Sequence, residues 1–258
     1  MPPFDAENGM RPWQSALRAV LGGIGALVFP PVCAGCGAMS AGHRGMCAAC
    51  WSSIRFIERP FCEVLGLPFS VDLGEGMLCA DAIAKPPPFD RLRSVAIHDG
   101  IARNLVHGLK YRDRTDLAIM MAEWMLRASE NWVASCDGII PVPLHRSRLV
   151  SRKFNQAAEL SRQLAGISGK PLLAATLVRS KRTSQQVGLG VRAREENVRG
   201  AFSIPAARLG DVFGKRIVLV DDVYTTGATV ASATRALKKA GATDVTVLTF
   251  ARAAAGLI

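Results

Sequence analysis

The sequence RIVLVDDVYTTGAT occupies residues 216–229 and decides the fold of this chain. Its apolar part, residues 217–220, has the length and β-branched content of a buried parallel strand. Asp221 and Asp222 follow this run, and a short loop of small and hydroxyl-bearing residues comes next. An alanine-rich helix is predicted from about residue 230 to residue 240, and Gly241 ends it. The order strand, loop and helix predicts an α/β fold with a parallel sheet. Elsewhere the sequence predicts a helix at residues 117–132, with its methionines and tryptophans in the core, and a strand at residues 172–179.

The loop after the strand has the composition of a sugar-phosphate site. Ligands of doubly wound sheets bind at the carboxyl ends of the strands. Loop N–H groups and a helix N-terminus suit a phosphate dianion, and Asp221 and Asp222 can accept hydrogen bonds from a cis-diol, directly or through Mg²⁺. Acids that only cap the helix would be a simpler interpretation, but capping requires neither the second acid nor this loop. The loop residues are Thr225, Thr226, Gly227, Ala228 and Thr229.

This stretch resembles the motif that binds phosphoribosyl pyrophosphate (PRPP) in phosphoribosyltransferases. The resemblance implies that Asp221 and Asp222 hold the ribose hydroxyls or Mg²⁺, and that residues 225–229 hold the 5′-phosphate. Enzymes of this kind that act on 6-oxopurines resemble one another in placing an acid three residues after the second Asp. Thr225 occupies that position here, which argues against purine salvage.

Composition and charge indicate a folded protein with an anionic partner. The chain has 258 residues, of which 49% are hydrophobic, and a net charge of +11. Residues 141–200 hold twelve Lys and Arg against three Glu. Such an excess suits a phosphate-handling surface, a single-stranded DNA surface or a solvated face, and composition does not choose among them.

The N-terminal region predicts a helix that packs on the body of the protein. The apolar run at residues 19–28 is too short to span a bilayer. A signal peptide is the alternative, but Phe29-Pro-Pro follows the run where a small-residue cleavage site would stand. We therefore expect a cytoplasmic protein without a membrane span.

Two Cys-x-x-Cys pairs, separated by ten residues, predict a structural zinc site. Each pair forms a turn that presents two thiolates to one side of a tetrahedral ion, and four thiolates leave no open position. A pair of disulfides in an exported protein is the alternative. The predicted Zn²⁺ ligands are Cys33, Cys36, Cys47 and Cys50.

Residues 60–82 repeat this pattern in incomplete form. Cys62 and Cys79 are present, but Leu65 and Ala82 stand where their partners would be. We expect a second ribbon-like hairpin that has lost its metal and is held by packing; a partial or shared metal site is the alternative. Three prolines then predict a stiff linker at residues 85–88.

Two basic segments are candidates for binding pyrophosphate. Residues 141–148 follow a predicted strand, so that Arg146 and Arg148 could donate to an anion beside main-chain N–H groups. Residues 179–202 are rich in charge and glycine, and such a loop could close over the site and exclude water, with Arg182 steadying the departing pyrophosphate. An ordinary hairpin with a solvated basic face is the alternative.

The motifs of this chain, in order, are the Cys-x-x-Cys ribbon, Leu109-Lys-Tyr-Arg112, Pro141-Val-Pro, Arg152-Lys-Phe-Asn-Gln156, Gln185-x-x-x-Leu189, Arg194-x-x-Asn197 and the PRPP loop. In combination, they resemble those of the ComF family, whose members have a phosphoribosyltransferase fold and an N-terminal zinc ribbon and are associated with DNA uptake in natural competence. Lys153 departs from the family's usual Gly at that position.

The resemblance implies three regions and two possible functions. The regions are an N-terminal arm and helix (1–28), a zinc-ribbon module with its linker (29–88) and a phosphoribosyltransferase-like α/β domain (89–258). One function is a Mg²⁺-dependent transfer of phosphoribosyl from PRPP to an unidentified acceptor, with Asp221, Asp222 and Arg182 as catalytic residues. The other is a protein that senses PRPP or a nucleotide and binds single-stranded DNA or DNA-uptake proteins.

Overall fold

The computed structural model describes most of the chain that follows the predicted N-terminal helix. The described residues are 32–39, 45–72, 74–111, 114–144, 155–180 and 198–253. The predicted arm and helix at residues 1–28 lie outside them. None of the helices in the described part has the length and apolar character of a membrane span.

The centre of the molecule is a four-stranded parallel sheet. The strands of the described chain are β1 (Arg91–Ile97), β2 (Gly138–Pro141), β3 (Val178–Arg179), β4 (Phe202–Ser203), β5 (Arg216–Tyr224) and β6 (Asp244–Arg252). The sheet has the order β1-β6-β5-β2, with every neighbouring pair parallel. β3 and β4 form a separate antiparallel pair. β5 is therefore interior, as its apolar run predicts.

Helices cover both faces of this sheet. The helices of the described chain are α1 (Ala48–Ser52), α2 (Ala80–Ala84), α3 (Gly100–Tyr111), α4 (Leu117–Ala128), α5 (Trp132–Ser135), α6 (Gln156–Ser168), a 3-10 helix (Ala206–Asp211) and α7 (Ala228–Lys239). α3, α4 and α6 bury Val218, Val220 and Phe250 on one face. α7 and the β3–β4 pair bury Ile217, Leu219 and Val247 on the other. This arrangement is the three-layer α/β architecture that alternating strands and helices predict.

The ribbon module, described over residues 32–39, 45–72 and 74–84, covers the free edge of β1. Its first half is residues 32–54 and its second half residues 61–84. Between them, the N–H of Ile57 donates to Val95 and that of Ile97 donates to Arg55, both at 2.9 Å. The N–H of Leu92 donates to Val64 at 2.8 Å. The module thus pairs backbone groups that an edge strand would otherwise expose.

Two predicted elements differ from the structure. The strand predicted at residues 172–179 is wrong, because only Val178–Arg179 pairs as a strand and Leu172 makes an isolated bridge to Ile139. The helix predicted at residues 117–132 ends at Ala128, because Glu130 adopts a left-handed conformation with φ of 52°. The predicted core methionines Met120, Met121 and Met125 are buried, as are Trp124 and Cys136.

Candidate functional site

β5 carries Asp221 and Asp222 to the carboxyl edge of the sheet. The strand continues to Tyr224, further than its apolar run, because Asp221 stays in register with Thr249 and Tyr224 with Arg252 of β6. Asp222 is 9% exposed and Asp221 is half-buried. Two adjacent carboxylates in an interior strand lower the stability of the fold unless a cation or hydrogen-bond donors lie close to them.

Lys110 is the cation that meets this acid pair. It lies near the end of α3, and its Nζ is 2.7 Å from Oδ2 of Asp222. The sequence placed Lys110 in a family motif without assigning it a role. The contact connects a helix and a strand far apart in the chain, so no local spacing could have predicted it.

Asp221 has an unusual proton affinity. Its burial, and then the negative charge of Asp222, raise the pKa of Asp221 to about 7. The N–H of Asp222 donates to Oδ1 of Asp221 at 2.9 Å, and the charges of Lys110 and Arg179 also favour the ionised form without cancelling these two effects. Near neutral pH this carboxyl group can therefore hold or release a proton, and an approaching cation or hydrogen-bond donor shifts it toward the carboxylate.

The Thr-Thr-Gly loop turns the chain from β5 into α7. Gly227 has φ of 76° and precedes the first residue of α7, Ala228. A Cβ atom at Gly227 would overlap the ring and hydroxyl of Tyr224, so glycine is required both for the conformation and for the close approach. The first N–H groups of a helix have no partner within the helix, which suits an anion at this end. Thr225 is exposed, and Thr226 and Gly227 are half-buried, so this turn is accessible.

The end of β2 lies beside this loop. The N–H of Val142 donates to Val220 of β5 at 2.8 Å. Asn155 connects the same strand end to α6: its Nδ2 donates to the carbonyl of Val142 at 3.0 Å, and its Oδ1 accepts from the N–H of Ala157 at 3.1 Å. Asn155 is thus a helix cap that also fixes the strand end. The pyrophosphate candidates Arg146 and Arg148 lie outside the described residues.

The β3–β4 pair forms the base of the predicted basic loop. Residues 181–197, including Arg182, lie outside the described residues. Arg179 of β3 is 9% exposed, its guanidinium lies 5.3 Å from the ring centroid of Phe202, and its charge acts on Asp221. This residue was missed as a site residue, because a charged side chain at the start of a charged stretch is typical of a surface.

His98 adds a neutral donor or acceptor to the same edge. It follows β1, and burial, together with the charge of Lys110, lowers its pKa. Its Nε2 is buried without a hydrogen-bond partner among the described residues, and its ring centroid lies 6.5 Å from that of His107. The one feature of the sequence that could have identified His98 as a site residue is its position at the end of a strand.

The four predicted zinc ligands lie together. The Sγ atoms of Cys33, Cys36, Cys47 and Cys50 all lie within 4.8 Å of one another, and Cys36 and Cys47 are 3.9 Å apart. A tetrahedral ion with Zn–S bonds of about 2.3 Å places its sulfurs about 3.8 Å apart. The residues therefore fit Zn²⁺, and they do so as free thiols rather than as disulfides.

The backbone around Cys33 favours a thiolate. Burial raises its pKa, but hydrogen bonds from the N–H groups of Cys47, Cys36 and Gly35 outweigh burial and lower the pKa to about 6. Of these, the N–H groups of Cys47 and Gly35 lie 3.3 and 3.4 Å from the sulfur. Burial and the neighbouring sulfurs raise the pKa of Cys50 to about 12, so the first proton leaves Cys33. A metal ion supplies the charge that lets all four ionise.

Comparison with known proteins finds a matching domain family for the ribbon module and another for the α/β domain. Residues 24–83 match the double zinc ribbon domain family, and residues 154–258 match the phosphoribosyl transferase domain family. The predicted fold class is confirmed: a phosphoribosyltransferase-type parallel sheet flanked by helices, with an N-terminal cysteine ribbon.

Curated relatives match over most of their own length. The DNA utilization protein YhgH of Salmonella typhimurium is 32% identical over 215 residues, which is 81% of this chain and 91% of that protein. Competence protein F of Haemophilus influenzae is 28% identical over 222 residues, or 84% and 94% of the two chains. Among solved structures, orotate phosphoribosyltransferase from Aeropyrum pernix is 20% identical over 62% of this chain and 80% of that one, with a TM-score of 0.33.

Proposed function

Because this chain belongs to the ComF family, together with DNA utilization protein YhgH and competence protein F, we propose that it binds PRPP or another phosphorylated ribose at the end of β5. We further propose that it transfers the phosphoribosyl group to an acceptor, in a cytoplasmic process of DNA uptake or use. The observation that carries this proposal is the acid pair of β5, placed beside the Gly227 turn at the N-terminus of α7.

The proposed ligand uses the two ends of this arrangement. Asp221 and Asp222 accept the ribose hydroxyls, and the N–H groups of residues 225–229 receive the 5′-phosphate. Oxygen ligands of this kind are those Mg²⁺ prefers. A divalent ion would offset the burial and the repulsion from Asp222 that raise the pKa of Asp221. When bound with PRPP, Mg²⁺ would neutralise the charge of the pyrophosphate.

The chemistry requires electrostatic positioning and the exclusion of water rather than a nucleophile from the protein. As the bond from ribose to pyrophosphate breaks, positive charge develops on the sugar and negative charge on the leaving group. We propose that Arg146, Arg148 and Arg182 receive the leaving pyrophosphate and that residues 181–197 cover the site. Lys110 holds Asp222 in place before the ligand arrives.

A calorimetric titration with PRPP and Mg²⁺ tests the binding site. The Asp221→Asn, Asp222→Asn double variant should lose PRPP binding, because it removes both charged acceptors. The matched control is Asp72→Asn with Glu75→Gln, two exposed acids of the ribbon module, which should bind normally. Unchanged PRPP affinity in the first variant would contradict the assigned role.

Turnover is tested separately. The wild-type protein is incubated with PRPP and Mg²⁺ and with bases, nucleotides or single-stranded DNA, and released pyrophosphate is measured. Release that depends on one acceptor, and is lost in the Asp221 and Asp222 variant, supports a transferase. Binding of PRPP without release across the panel supports the second candidate, a PRPP sensor. The net charge of +11 favours a DNA partner for such a sensor, and its affinity should then fall steeply with salt.

A further inference from the structure

A cavity lies between the proline linker and α7. Its volume is about 620 Å³, within the usual range for small-molecule sites. One wall is formed by the end of α2 and residues 85–88, and the other by Ala228, Ala231 and Arg235 of α7. These three residues lie on one face of the helix, since they are spaced by three and four positions. The cavity therefore exists only because the ribbon module and the α/β domain meet here.

This cavity is separate from the proposed phosphoribosyl site. Neither Asp221 nor Asp222 lines it, and neither does Thr225 or Thr229. The two sites share only residues 226–228. A ligand in this cavity would therefore contact the turn without contacting Asp221 or Asp222.

The lining combines an apolar floor with a cationic rim. Leu65, Phe89 and Tyr224 form the floor, with the rings of Phe89 and Tyr224 6.5 Å apart and nearly perpendicular. Lys85, Arg199 and Arg235 supply three positive charges, against one negative charge from Asp81. Such a lining suits a ligand with an apolar, flat part and an anionic part.

Two of the cations are available for a ligand. Arg199 and Arg235 are exposed, and neither forms an ion pair with any residue in the described part of the chain. Elsewhere arginines such as Arg55, Arg91 and Arg162 are paired with nearby acids. A guanidinium can donate two parallel hydrogen bonds to one phosphate, which makes it well suited to this ligand class.

We propose that this cavity binds a nucleoside monophosphate, with its ring on the floor of Leu65, Phe89 and Tyr224 and its phosphate between Arg199 and Arg235. The carboxylate of Asp81 accepts a hydrogen bond from a hydroxyl or amino group of the ligand. This site is additional to the phosphoribosyl site and does not depend on catalysis there.

Calorimetric titration of the full chain with each of the four ribonucleoside monophosphates tests this site. At least one should bind, and Arg235→Gln should weaken it about tenfold, the usual effect of losing a charge-assisted hydrogen bond. The control is Lys239→Gln, an exposed cation one turn further along α7 that does not line the cavity; it should leave the affinity unchanged. Ala231→Leu should weaken binding by placing a larger side chain in the cavity, while thermal unfolding shows that the variant is folded.

The Asp221→Asn, Asp222→Asn variant separates this proposal from the proposed function. It should bind the nucleotide as tightly as the wild type, and PRPP should not displace the nucleotide. Loss of nucleotide binding in that variant, or displacement by PRPP, would place the nucleotide in the phosphoribosyl site and overturn this inference alone. Equal weakening by Arg235→Gln and Lys239→Gln, or no binding of any of the four nucleotides, would overturn it as well. PRPP binding, measured independently, decides the proposed function.

Discussion

The two halves of the ribbon module have the same backbone design and different means of stabilisation. In the first half the N–H of Cys33 donates to Ala38 at 2.7 Å, and in the second half the N–H of Cys62 donates to Leu67 at 2.8 Å. In each half a second cysteine precedes a five-residue helix and donates its N–H to the first sulfur at 3.3 Å. The turn and helix therefore do not require four thiolates.

The second half replaces metal ligands by contacts with the α/β domain. Leu65 and Ala82 stand where the first half has Cys36 and Cys50, and Cys62 is fully buried. Two buried arginines donate to its backbone: Arg93 to the carbonyl of Glu63 at 2.9 Å and Arg252 to that of Leu65 at 2.5 Å. A metal cross-link can thus be replaced by tertiary hydrogen bonds and packing.

Loss of zinc should have the largest effect on stability, and this effect should be confined to the first half of the ribbon module. We expect one zinc ion per chain, and Cys36→Ser or chelation should unfold residues 32–54, since structural zinc supplies on the order of 10 kcal/mol. Metal content and hydrogen exchange measure this. The control is Cys136→Ser, a buried cysteine outside the module, which should retain its zinc. Equal loss of protection in residues 61–72 would contradict the independence of the halves.

Restoring the missing thiols should create a second metal site. The double variant Leu65→Cys, Ala82→Cys matches the spacing of the first half, so zinc content should rise from one to two ions per chain. The control is Leu65→Ser, Ala82→Ser, which introduces similar polarity without thiolates. A content of one in the cysteine variant would mean that the second half has lost the geometry as well as the ligands.

Removing Arg93 should destabilise the second half. Arg93 is 1% exposed and pairs with Glu63 at 2.7 Å, so Arg93→Met should lower the free energy of unfolding by about 3 kcal/mol. Urea unfolding measures this. Arg55→Met removes an exposed ion pair with Asp99 and should cost less than about 1 kcal/mol. Similar costs for the two variants would show that the buried contacts do not hold this half.

The smallest expected difference between the two halves is at a pair of equivalent glycines. Gly37 and Gly66 both have positive φ, at 75° and 57°. A Cβ at Gly66 would overlap the carbonyl of Leu92, whereas none of the described atoms lies near one at Gly37. Gly37→Ala should therefore cost about 1 kcal/mol from backbone strain, and Gly66→Ala about 2 kcal/mol or more. Thermal unfolding measures the difference. Equal losses of stability in the two variants would mean that the close contact between Gly66 and Leu92 adds no further cost.

The features that the sequence predicted correctly are local ones. A β-branched run followed by acids, glycine and alanines predicts β5, its loop and α7, because the conformational preference of each residue type depends mainly on residues adjacent in the chain. The Cys-x-x-Cys pairs likewise predict the zinc cluster through their spacing.

The features that the sequence did not predict depend on tertiary packing. The Lys110–Asp222 ion pair, the approach of Arg179 to Asp221 and the unpaired Nε2 of His98 join segments remote in the chain. Residues 172–179 are apolar enough for a strand, but the sheet offers them one isolated bridge beside β2. The apolar content of a segment indicates that it is buried, but it does not indicate which element the segment packs against.

The guanidinium groups of Arg93 and Arg252 make the α/β domain dependent on its own N-terminal neighbour. Both are buried, and both donate to main-chain carbonyls of the ribbon's second half. A shortened chain beginning after the prolines would lose these acceptors and would expose the apolar surface that the ribbon covers, such as Ile97, to water, so the linker is a poor place to cut. Substitution of the metal-ligand positions in that half should therefore cost less stability than deletion of the half itself.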